Sequence, residues 1–107
     1  MSKSTISVDI ELDDKKMPIG IAMNDPSQSI ECKAMMLSFF DRKTKDTLRI
    51  DLWTKEMQVL EMDKFFFESL RSMADTYVKA TRNNELGNEF QKFAQYFAEK
   101  TGIISDK

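Results

Sequence analysis

The sequence predicts an α+β fold: a four-stranded antiparallel sheet in meander order, followed by two C-terminal helices packed on one of its faces. Two observations carry this expectation. Through the first half, apolar and polar side chains alternate with the period of two that marks half-buried strands. From Val59 onward, apolar residues recur every three or four positions, as they do along helices. The length of 107 residues, 41% of them apolar and 32% charged, suits one globular domain with a modest core rather than a disordered chain.

Each element can be justified in turn. Ile6, Val8, Ile10 and Leu12 alternate with Ser7, Asp9 and Glu11, so a strand is expected over about 5–12. "DDKK" makes a polar turn, and Pro18 opens a second strand, 18–23, with Ile19, Ile21 and Met23 on one side and Gly20 and Ala22 on the other. "NDPSQS" is rich in turn formers and reads as a loop. A third strand, 30–41, is apolar on both sides: Met35, Leu37 and Phe39 share one face, Ala34, Met36, Ser38 and Phe40 the other. After the charged loop "DRKTKD", a fourth strand over 47–53 turns Leu48, Ile50 and Leu52 inward and Arg49, Asp51 and Trp53 outward.

The first helix is expected over 57–82, with Thr54 as a candidate N-cap and Met57 at the third helical position. Its stripe runs Val59, Met62, Phe66, Leu70, Met73, Tyr77, Ala80. Asn83 or Asn84 ends it and caps a second helix over 84–101, which closes on Gly102 with Ile103 and Ile104 folding back. A helix of about 24 residues spans ~36 Å, a strand of six to eight only ~20–26 Å. The first helix should therefore overhang its sheet by roughly 10 Å.

Composition narrows the chemistry. Sixteen basic against 18 acidic residues leave a net charge of −2, with no basic clustering to displace counterions from nucleic-acid phosphates. The absence of histidine removes the commonest general base and the commonest metal ligand. One cysteine, Cys32, makes neither a disulfide nor a paired zinc clip, and is expected to be an inert strand residue. Glu61 and Asp75 lie ~21 Å apart along one helix, too far for a catalytic carboxylate pair. No catalytic residue, cofactor or metal site is expected. No run approaches the ~20 apolar residues of a membrane helix, and no signal peptide opens the chain, which points to the cytoplasm.

If Leu48, Ile50 and Leu52 face the helices, then Trp53, Met36, Phe40 and Ala22 lie on the far side of the sheet. An apolar patch facing away from the core is the kind that meets a protein partner or another copy of the chain.

The runs "IDLWTKEM" (50–57), "EM" (61–62), "FF" (65–66), "SMADT" (72–76), "AT" (80–81), "AMMLSFFD" (34–41) and "FAEK" (97–100) resemble the gliding motility-associated protein GldC family. The resemblance implies a small accessory protein of gliding Bacteroidetes, working through protein contacts beside the machinery of type IX secretion, in the cytoplasm or at the inner-membrane surface. It implies no enzymatic activity and no cofactor, and the charge balance above argues against a nucleic-acid partner. Matching positions without assigned chemistry are Asp51, Trp53, Thr54, Lys55, Met57, Met73, Asp75 and Thr76. The alternative is a SecB-like chaperone or adaptor for exported clients, an analogy of element order in which a methionine-rich sheet face would hold unfolded segments.

Overall fold

A computed structural model describes residues 1–104. The element order is β1 (Ser7–Leu12), β2 (Pro18–Asp25), β3 (Gln28–Cys32), β4 (Ala34–Phe40), β5 (Thr47–Trp53), α1 (Val59–Thr81) and α2 (Asn84–Thr101). The chain is therefore α+β with two C-terminal helices, and it divides into two compact units, Met1–Met57 and Gln58–Lys107.

The first unit holds two antiparallel sheets, one of order β1-β2-β3 and one of order β4-β5, in place of the single four-stranded sheet expected. The third expected strand is two. It breaks at Lys33, where the chain bends and the Lys33 carbonyl accepts both the Thr54 backbone N–H (2.9 Å) and the Thr54 hydroxyl (3.1 Å). Strand β3 also begins earlier than expected. Asp25 accepts the N–H groups of Ser27 (2.7 Å) and Gln28 (2.9 Å), so "NDPSQS" closes as a tight hairpin turn and Asp25 pairs with Gln28.

In the three-stranded sheet, Val8, Met23 and Ile30 form one cross-strand row and Ile10, Ile21 and Cys32 the next, making one apolar face. Ile21, at its centre, is buried. Opposite lie Ser7, Asp9, Asn24 and Ser29, tied by Asn24 amide bonds to Asp9 (3.0 Å) and from Ser29 to Asn24 (2.6 Å). In the β4-β5 ribbon, Met35 pairs with Leu52, Leu37 with Ile50 and Phe39 with Leu48.

The second unit is an antiparallel helix hairpin. The capping box of α1 uses Gln58 and Glu61, with the Gln58 N–H donating to Glu61 Oε1 (3.0 Å); Thr54 and Met57, expected in those roles, lie before the helix. Arg82 ends α1 in the left-handed region (φ 63°), and Asn83 caps α2 by accepting the Leu86 N–H (3.0 Å). At the far end Gly102 is left-handed (φ 82°), the Ile104 N–H reaches Ala98 O, and Ile103 and Ile104 pack back on the hairpin.

The seam between the helices departs from the expected stripe. It is built from Phe67, Leu70, Ala74 and Val78 of α1 against Gly87, Ala94 and Ala98 of α2, all either buried or half-buried. A Cβ on Gly87 would collide with the Val78 side chain, so glycine there sets how closely the helices approach. Because α1 is apolar over a wide arc, the small residues of α2 decide which stripe is covered. Phe66 and Met73, assigned to the core by spacing, are 42% and 51% exposed.

Candidate functional site

The ribbon β4-β5 carries the residues singled out by the sequence. Its register pairs Ala34 with Trp53, Met36 with Asp51, Ser38 with Arg49 and Phe40 with Thr47, all on one face. Trp53 and Phe40 are 59% and 69% exposed, while Met36 is half-buried. They do not form one continuous patch: six residue steps separate their positions along the ribbon, ~20 Å at strand rise. Between them the Arg49 guanidinium grips Asp51 with Nε (3.1 Å) and Nη2 (2.7 Å) and donates through Nη1 to the Ser38 hydroxyl. The face thus has a charge-paired centre and an aromatic residue at each end.

Ala22 lies elsewhere. It sits in β2 between Asp9 and Glu31, in the other sheet, and lines a shallow groove with Glu11, Lys33 and Thr54. A second recess brings Trp53, Thr54, Lys55 and Met57 together with Met17 and Pro18. Four of the positions that resemble the GldC pattern therefore share one hollow at the end of β5.

Thr54 is the buried polar side chain of this corner, 4% exposed, and its two bonds to the Lys33 carbonyl tie the end of β5 to the β3–β4 bend. Thr54→Val keeps the shape and loses the hydroxyl donor, while the backbone bond still satisfies the carbonyl. A loss of about 1 kcal/mol is expected, read as a lower urea midpoint with an unchanged slope. An unaltered midpoint would mean that the hydroxyl contributes nothing to the corner.

The remaining matched positions belong to the helix hairpin. Asp75 accepts from the Gln91 amide (3.2 Å), which also donates to Arg71 O, so Asp75 helps pin α2 to α1. Met73 and Thr76 are exposed.

The electrostatics are those of turns. Asp13, Asp25 and Asp41 are held below the ordinary carboxylate value, chiefly by the backbone N–H of Met17, of Ser27 and of Thr44, respectively. These carboxylates fold the chain back; Asp13 and Asp25 are half-buried and Asp41 is exposed. Among the described residues no three acidic or cysteine side chains gather as a metal site. The Cys32 thiol is half-buried and lies 3.5 Å from Ile30 O.

The apolar exposure that sequence reasoning missed lies on the ribbon's opposite face and on the hairpin. Phe39, Leu48 and Ile50 are 53%, 60% and 39% exposed; Leu86, Phe93 and Tyr96 are about as open. The signal for Phe93 and Tyr96 was present in the width of the apolar arc on α2, broader than one neighbouring helix covers.

A family model described as gliding motility-associated protein GldC-like matches residues 20–103, well over half of the chain. The chain belongs to the GldC-like family. No curated protein and no solved structure matches it. The matched span starts inside β2, so β1 and its turn lie outside the GldC-like region, whereas the ribbon, the corner and the helix hairpin lie within it. The GldC-like family is associated with gliding motility, and among the described residues no helix is long and apolar enough to cross a membrane.

Proposed function

We propose that this GldC-like chain is a non-enzymatic accessory protein of the gliding apparatus linked to type IX secretion, acting by protein–protein contact from the cytoplasm. The observation that supports this reading is the outer face of the β4-β5 ribbon, with Trp53 and Phe40 exposed on either side of the Arg49–Asp51 pair. Tryptophan and arginine are the residue types that dominate binding energy when a partner desolvates them, and the aromatic ends supply apolar area around a polar centre. The partner is a protein of the motility machinery. The GldC-like family is not a known family of enzymes.

The test is crosslinked recovery of the partner from a gliding bacterium expressing wild type, Trp53→Ala or Phe40→Thr. Phe40→Thr faces Thr47, a compatible cross-strand pair, whereas Met36→Glu would set a carboxylate opposite Asp51 and weaken the ribbon itself. One stoichiometric partner, bound at least about 2 kcal/mol more weakly by Trp53→Ala, is the expected result. Equal recovery per folded molecule by both variants sinks the interface. Suppressed aggregation of an unrelated unfolded protein, with no stoichiometric partner, would favour the SecB-like chaperone instead.

A further inference from the structure

Among the described residues, β5 has a ladder partner on one side only, β4. A two-stranded ribbon is marginal on its own, and an open edge is a template for another strand. The bond from the Thr54 N–H to Lys33 O fixes which backbone groups point at that open edge. It makes Lys33 and Thr54 a hydrogen-bonded pair, so along the register Met35–Leu52, Leu37–Ile50 and Phe39–Leu48 are hydrogen-bonded pairs too. The alternate residues of β5, namely Thr47, Arg49, Asp51 and Trp53, therefore turn their N–H and C=O groups outward.

We infer that a second copy of this chain docks there, β5 against β5, antiparallel about Ile50. In that register each Arg49 lies opposite the partner's Asp51, Leu48 opposite the partner's Leu52, Thr47 opposite the partner's Trp53, and the two Ile50 residues meet on the axis. The outward backbone groups fall opposite one another as hydrogen-bonded pairs, and Ile50 occupies the non-hydrogen-bonded position, where side chains approach most closely. Two neighbouring registers open to the same backbone groups are worse. Centring on Asp51 sets two carboxylates face to face, and centring on Arg49 does the same with two guanidinium groups.

The other outer strands lack this self-complementarity. Antiparallel β1 about Ile10 would oppose Asp9 to Glu11, a like-charge pair. Strand β3 carries one charged residue, Glu31, with no basic residue to oppose it, and strand β4 has none with which to choose a register. The β5 pairing joins two ribbons into a four-stranded sheet, β4-β5-β5-β4. Its apolar face runs unbroken through Leu48, Ile50 and Leu52 of both copies, side chains that are partly or largely exposed in the single chain. This inference stands on the strand edge, whereas the partner contact proposed above uses the face of the ribbon, and the two share Arg49 and Asp51.

The test reads mass by sedimentation equilibrium on the full chain at micromolar concentration. Wild type should run at twice its 12.5 kDa chain mass. Arg49→Asp places carboxylates opposite each other on both sides of the axis, and Asp51→Arg does so with guanidinium groups. Each variant, folded by circular dichroism, should dimerise at least about tenfold more weakly. An equimolar mixture of the two restores opposite charges at both positions and should recover the dimer, as should the double variant R49D/D51R. A monomeric wild type overturns the inference. So do single variants that dimerise like wild type, and a folded mixture that stays monomeric.

Discussion

Phe67→Ala is expected to destabilise the helical unit by about 3 kcal/mol or more, at or above the low end of the 3–5 kcal/mol range for removing a buried phenylalanine. Phe67 is 8% exposed, and its ring fills the space over Ala94 and Ala98, with Leu70, Phe97, Ile103 and Ile104 around it. The alanines opposite cannot reach into the cavity left behind, so the site collapses poorly. The substitution also removes the ring beneath the Arg71 guanidinium, 5.8 Å from its centroid. Thermal melting followed by helical circular dichroism measures the effect, and Phe67→Leu should recover most of it. A melting free energy within about 0.5 kcal/mol of wild type would remove Phe67 from the core.

Ala94→Leu should cost about 3 kcal/mol for the opposite reason. Ala94 is fully buried at the seam where small side chains let α2 approach α1, and three added carbons find no space there. Overpacking of this kind costs about 1–3 kcal/mol, and the upper end applies because the helix backbones must separate. Ala94→Gly is the control: it creates no clash and costs about 1 kcal/mol of helix propensity. If leucine proves no worse than glycine in denaturant titrations, the helices are not closely packed at this point.

Much of the fold was legible because local signals agreed with one another. Strand β5 runs Thr47–Trp53 and alternates strictly, and α2 runs Asn84–Thr101, framed by an asparagine cap and Gly102. What could not be read is tertiary in origin. The break at Lys33 carries no glycine or proline to announce it, and the Lys33 carbonyl is bonded to Thr54, 21 residues on. The same bond explains the misplaced helix start, because the threonine that looked like a cap is engaged elsewhere and a glutamine, a weaker cap residue, serves instead. For the helices, spacing showed that α1 is apolar but not which side α2 would choose. Gly87, Ala94 and Ala98 held that information. At the candidate site, strand parity placed Trp53, Met36 and Phe40 on a common face. It could not show that Arg49 and Asp51 close on each other between them, or that Ala22 belongs to a separate sheet.

The bend at Lys33 also resets a reading frame. Before it, the apolar face takes the even-numbered Ile30 and Cys32; after it, the ribbon's all-apolar face takes the odd-numbered Met35, Leu37 and Phe39. The apolar parity therefore changes across the single residue between the two strands, with no loop. That makes chain length here far less negotiable than in the charged turn at 41–46. One residue more or fewer would turn the ribbon over with respect to the sheet before it, exchanging the side that carries Trp53 for the side that carries Phe39.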